Sequence, residues 1–106
     1  MARPIVLTTT GVSASSVCPL CFYTEQFNVS VNTVVTGSAT YSLEFTADDP
    51  FASTFTPASA NWKSHPSMTG ATTGDIVEFT APVRAVRINQ TVGAGSVRAT
   101  VIQMDV

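Results

Sequence analysis

Charge is what this chain has least of: Asp, Glu, Lys and Arg make up 11% of its 106 residues, under half of the roughly 25% usual in soluble domains. The net charge is −2 and the pI lies near 5.0, which argues against the basic stripe that nucleic-acid binding requires. Arg3, Lys63, Arg84, Arg87 and Arg98 are spread among apolar neighbours. They read as solvated strand faces, or as partners of acidic residues in an assembly. Long apolar runs are missing too, and none approaches the ~20 residues of a membrane helix. The start, "MARPIVLTTTG", holds only the short run Ile5 to Leu7, which is too short for the apolar region of a secretory signal. The expectation is a chain without a secretory route and without a membrane partner. The glycosylation patterns at Asn28 and Asn89 are then fortuitous matches.

Chemistry-bearing residues are few, with two cysteines, one histidine and one tryptophan. Cys18 and Cys21 form a C-x-x-C in "VCPLCFY". A structural zinc site needs four ligands, and His65 is the lone histidine, in a distant loop. A redox pair wants a helix N-terminus to lower the thiol pKa, whereas the surroundings here are apolar and β-prone. A local disulfide bent by Pro19 is an alternative. The favoured reading is two small apolar side chains at a strand, as free cysteines usually are. For His65 the expectation is a loop histidine packed on Trp62 or Pro66, since no nucleophile elbow accompanies it. Asp48 and Asp49, in "DDP", lack calcium-loop spacing and read as a turn in which Asp caps its own backbone. Trp62 is read as a core plug or subunit anchor rather than a sugar-stacking platform. No cofactor, metal or catalytic residue is expected, and the chain does not read as an enzyme.

What the chain does have is alternation with a period of two. Phe27, Val29, Val31, Thr33 and Val35 share one face; Ala39, Tyr41, Leu43 and Phe45 share another, across a turn at Gly37. This pair predicts a hairpin. Val86 and Ile88, then Val97, Ala99 and Val101, flank "GAG", Gly93 to Gly95, and predict a second hairpin. Further strands are expected over Ile5–Thr9, around Val77–Thr80 and within Ser16–Phe22, with part of "ANWKSH" a short one. Between Asp48 and Asp75 the alternation stops, and such long excursions are usually functional. The fold expected is all-β: a single antiparallel β-sandwich over residues 1–106, jelly-roll-like, of about seven or eight strands, with a long irregular loop around 48–75. A neutral surface protects weakly against association, so copies of this chain or partners are expected to cover much of it.

Four stretches carry a resemblance: "ARPIVLTTTG", "FNVSVNTVVTGSATYSLEFTADDPF", "ANWKSHPSMTG" and "FTAPVRAVRINQTVGAGSVRATVIQ". The most distinctive parts are F-x-x-P-V-R-A-V-R, Phe79 to Arg87, and the W-x-x-H pair, Trp62 and His65. Together they cover most of the chain and resemble a family of small all-β virion proteins of tailed bacteriophages, of the capsid decoration (cement), head-fibre or tail-associated type. In the family the segment aligned with "CPLCFY" is a Pro-Leu-aromatic run without paired cysteines. The departure at Cys18 and Cys21 implies that thiol chemistry is dispensable. The resemblance implies a structural virion protein, made in the bacterial host cytoplasm and located on the capsid surface. Its partners would be the major capsid protein lattice and itself, as a homo-oligomer, with trimers suited to threefold sites. The contact residues expected are Arg3, Pro4, Ile5 and Val6 on an N-terminal docking arm of residues 1–10, and Phe51, Phe55, Trp62, His65 and Met68 on the long loop. The alternative is a tail- or fibre-associated adhesion module that binds host surface glycan through the Trp62 loop.

Overall fold

The computed structural model describes residues 5–20, 28–79 and 83–103. Stretches rich in Val, Ile and Thr become strands, because branched side chains fit a pleated, half-buried surface. The strands are β1 (Ile5–Thr10), β2 (Ser13–Ala14), β3 (Cys18–Pro19), β4 (Val29–Thr36), β5 (Thr40–Thr46), β6 (Lys63–Ser64), β7 (Ile76–Phe79), β8 (Ala85–Val92) and β9 (Ser96–Gln103). One 3₁₀ turn, Pro66–Met68, is the only helical piece among the described residues. The expected strands are thus present, and β2, β3 and β6 are two-residue additions to the long ones.

Sheet A has the order β1-β9-β4-β7, and sheet B the order β2-β8-β5-β6 with β3 also on β8. All pairings are antiparallel. With β2 and β3 taken as one interrupted strand, the pairs β1·β9, β2/β3·β8, β4·β7 and β5·β6 nest like the arms of one long hairpin. Rolling that hairpin brings β4 beside β9 and β5 beside β8, which is the winding of a jelly roll. The chain is therefore an all-β sandwich of two packed antiparallel sheets.

The two expected hairpins are corrected by this topology. β4 lies in sheet A and β5 in sheet B; β8 lies in sheet B and β9 in sheet A. The turns at Gly37 and Gly93–Gly95 are arches that carry the chain from one sheet over to the other. A third arch at Gly11 takes β1 to β2. All three arches stack at one end, where Gly11 N–H donates to the Gly95 carbonyl at 3.1 Å and Gly95 N–H donates to the Ser38 carbonyl at 2.8 Å. The approach leaves no room for side chains. A Cβ on Gly93 would sit 2.2 Å from the Ser38 oxygen, and one on Gly95 would sit 2.5 Å from the Thr36 oxygen. Gly93 also has φ +99°, a left-handed conformation that only glycine adopts cheaply.

The inward faces are the ones the alternation implied. Val29, Val31, Tyr41, Leu43, Val86, Ile88, Val97 and Ala99 are fully buried, while Phe27 lies outside the described residues. Two polar networks close the ends of this core. Under the arches, Gln90 is fully buried; its Oε1 accepts from Thr9 Oγ1 at 2.8 Å, and its Nε2 donates to the Gly93 and Gly95 carbonyls, both at 3.0 Å. Along the open side, the segment 71–75 is stapled across both sheets. Ala71 exchanges backbone bonds with Tyr41, Thr33 N–H donates to the Asp75 carbonyl, and Tyr41 Oη donates to the Thr73 carbonyl at 2.9 Å. Thr33 Oγ1 and Tyr41 Oη are 2.6 Å apart. Burial pushes the Tyr41 phenol above its usual range, with the Thr33 hydrogen bond opposing and the Asp75 charge adding. Among the described residues no buried side-chain nitrogen or oxygen lacks a partner, as a stable interior demands.

The expected N-terminal docking arm is described only in part, as the edge strand of sheet A. From Ile5 onward it is β1, paired along its whole length with β9. Arg3 and Pro4 lie outside the described residues.

Candidate functional site

The outward faces of the two sheets differ in kind. On sheet B the loop 47–62 lies against outward residues of β5 and β8 such as Thr46 and Arg87, while Thr91 farther along β8 is exposed. Thr46 is 1% and Ala85 0% exposed although both point away from the core. The loop folds back because Thr46 Oγ1 accepts from Asp48 N–H at 3.0 Å, and Asp48 Oδ2 then accepts from Asn61 N–H at 2.8 Å. Asp49 Oδ1 accepts from Phe51 N–H at 3.0 Å, which is the turn read from "DDP". Trp62 closes the loop. Its indole N–H donates to the Pro57 carbonyl at 2.8 Å, and the Arg87 guanidinium lies 4.3 Å from its ring centroid. Arg87 Nε donates to Glu44 Oε1 at 2.7 Å. Cation–π and ion-pair contacts thus bind the loop to the sheet.

Two hollows flank this loop. One, of about 340 Å³, lies among Asp48, Asp49, Phe55, Thr56, Ser59 and Arg84. The other, of about 390 Å³, lies among Phe45, Asp48, Asn61, Lys63 and Val83. Phe55 is half-buried against the first hollow, and Phe51 stands 79% exposed at the loop tip. His65 packs its ring edge-on against Phe79, at 5.2 Å, rather than against Trp62, and its Nδ1 accepts from Ser67 N–H at 3.1 Å. It caps the 3₁₀ turn, and no nucleophile shares that contact. Met68, expected at a contact surface, is fully buried and belongs to the core. Cys18 is a free, buried thiol whose pKa burial raises to about 11. That suppresses the thiolate on which both metal binding and redox chemistry depend. Cys21 lies outside the described residues.

Sheet A presents the opposite picture, because nothing among the described residues lies over its outward face. Val6 is 55%, Val34 43%, Ile76 60% and Ile102 46% exposed. They stand among Thr8, Thr100, Ser30 and Asn32, with Arg98 and Glu78 the charged residues of that face. Neither of these two side chains has a salt bridge or hydrogen-bond partner among the described residues. This face was not singled out from the sequence beyond Val6 at its edge. Its signal is an apolar residue in the polar slot of an alternating strand, as Val34 is in "VNTVV" and Ile102 in "TVIQ". The signal of Gln90 is the converse, a polar residue in the inward slot after Val86 and Ile88.

No family model, no curated protein and no solved structure matches this chain.

Proposed function

We propose that this protein works by assembly, as a decoration (cement) protein that binds the capsid surface of a tailed bacteriophage and stabilises the head. The observation that carries the reading is the outward face of sheet A, over which no described residue lies. A nearly uncharged sheet face with four exposed aliphatic side chains is a protein-contact surface. The sequence resemblance supports the capsid as the setting. The jelly roll recurs in viral capsid and lectin domains, but fold alone assigns neither. Cement acts by linkage: a protein that binds the assembled lattice and not its parts stabilises the lattice by mass action. Phe51, exposed on the loop 47–62, supplies a second contact.

The adhesion alternative is less well served. A stacking platform presents a free aromatic face, whereas one face of Trp62 is taken by Arg87 and its N–H by Pro57. The test is to add purified protein to undecorated heads, pellet them and count bound copies by quantitative mass spectrometry. Hundreds of copies per head, with a raised head-melting temperature, are expected. No binding to heads, together with glycan binding that is lost in Trp62→Ala, would overturn the reading in favour of adhesion.

A further inference from the structure

The strand register fixes where each outward side chain of sheet A stands. Val6, Thr100, Asn32 and Ile76 form one row across β1, β9, β4 and β7; Thr8, Arg98 and Val34 form the row two residues along β4 on one side; Ile102, Ser30 and Glu78 form the row on the other. On a flat grid with strands about 4.8 Å apart and residues about 3.4 Å along, Arg98 and Glu78 are roughly 17 Å apart. They therefore cannot pair within one copy. Their midpoint falls on Asn32.

We infer that this face is the contact surface of a twofold homodimer, stacked face to face with the axis passing over Asn32. The inference deepens the proposed function, on which it rests for taking the bare face as a protein contact, and names the partner as a second copy. An axis lying between the two faces mirrors one grid onto the other. Setting it perpendicular to the line from Arg98 to Glu78 places each Arg98 over the partner copy's Glu78, and the reciprocal pair forms at the same time. The other positions then follow without further choice. Ile102 comes within about 3 Å, in projection, of the copy's Val6, and Val34 comes equally close to the copy's Ile76. The four exposed aliphatic side chains are thus matched in pairs. Asn32 meets its own copy on the axis, where two amides satisfy each other because each both donates and accepts. The strands cross at about 70°, close to the orthogonal class of sheet packing. A shallow hollow of about 330 Å³ lined by Asn28, Ser30, Glu78 and Ile102 lies where the copy's Arg98 would enter.

The footprint sets the strength. Four strands by seven residues give a flat patch of about 450 Å² per copy, and the sum lies at the low end of specific interfaces. The dimer is therefore weak in free solution, and gains strength where neighbouring lattice sites hold copies at high effective concentration. Paired copies then bridge adjacent sites, as a cement must.

The test is sedimentation of the full chain from 10 µM to 1 mM, with thermal melts to verify folding. The wild type is expected to shift from monomer to dimer within this range, and to do so less at high salt. Arg98→Glu turns both reciprocal attractions into repulsions and should weaken the dimer roughly ten-fold, as should Glu78→Arg. The double variant Arg98→Glu/Glu78→Arg should return to within about three-fold of wild type. Asn32→Asp, which sets two carboxylates on the axis, should also weaken it. A monomer at 1 mM, a trimer, or a dimer indifferent to the single reversals overturns the inference, as does failure of the folded double variant to recover. Head binding is scored separately: a dimer that does not bind heads refutes the capsid reading alone, and a monomer that binds them refutes the dimer alone.

Discussion

The two outward faces of this sandwich are built from the same kind of strand and end in opposite states. On sheet B the chain's own loop packs against part of the outward face, and Thr46 and Ala85 there are as buried as core residues. On sheet A residues at equivalent outward positions, Val6 and Ile76, stay more than half exposed. The covered face also holds the ion pair Glu44–Arg87 and the stacked Trp62, so its polar groups are satisfied internally. The bare face leaves Arg98 and Glu78 without partners among the described residues. One face contributes to folding, and the other is the face proposed for association.

That division can be broken by substitution. The largest effect belongs to Gln90, which serves both sheets from beneath the arches. Gln90→Leu removes three hydrogen bonds and strands the Gly93 carbonyl, while the Gly95 carbonyl keeps the Gly11 N–H. It should cost about 3–5 kcal/mol, read as a lower urea midpoint at unchanged m-value. Next comes the contrast between faces. Trp62→Ala should cost about 2 kcal/mol of stability, for a half-buried aromatic with a ring contact and a hydrogen bond, and leave self-association unchanged. Val34→Thr should do the reverse, changing stability by less than about 0.5 kcal/mol while weakening the dimer. Equal stability losses at Trp62 and Val34 would dissolve the comparison.

A smaller effect comes from Cys18, on the inner side of sheet B. Its pKa is raised from 9.0 to about 11, so above pH 9 the unfolded chain releases a proton that the folded chain keeps. Stability contributed by the neutral thiol is present below pH 9 and declines as pH rises towards 11. Cys18→Ala should flatten that decline in a pH series of urea melts, leaving the part due to Tyr41. The native protein should also react with a thiol reagent at Cys18 far more slowly than the unfolded chain. The smallest effect is expected at the loop tip. Phe51→Ala, at a side chain 79% exposed, should leave the melting temperature within about 2 °C while reducing head binding.

The strands were legible because alternation is written residue by residue. Val29, Val31 and Thr33 point inward whichever strand lies beside them. The connections were not legible, since "VTGSAT" and "TVGAGS" mark reversals of direction only. A glycine turn can close a hairpin or carry the chain over to a second sheet, and the period-two pattern of the flanking strands is the same in both cases. The difference lies in long-range contacts, such as Gly95 N–H on the Ser38 carbonyl, that no local window contains. The long loop was legible as irregular, but Met68 was misread as a surface residue because nothing nearby in sequence shows that its sulfur reaches Thr33 of β4, inside the core. Trp62 was read as a core plug or subunit anchor, whereas it is half-buried outside the core against Arg87, which lies 25 positions away in the chain. The apolar character of sheet A's outward face emerged only once the register had set Val6, Val34, Ile76 and Ile102 on one face.

The central claim is that the outward face of sheet A is the contact face. The most direct measurement is a dilution series followed by amide and methyl chemical shifts, from 1 mM down to 20 µM. Shifts are expected to concentrate on Val6, Asn32, Val34, Ile76, Arg98 and Ile102, with the Trp62 indole signal unmoved. Shifts centred on the Trp62 loop, or none anywhere at 1 mM, would contradict that claim.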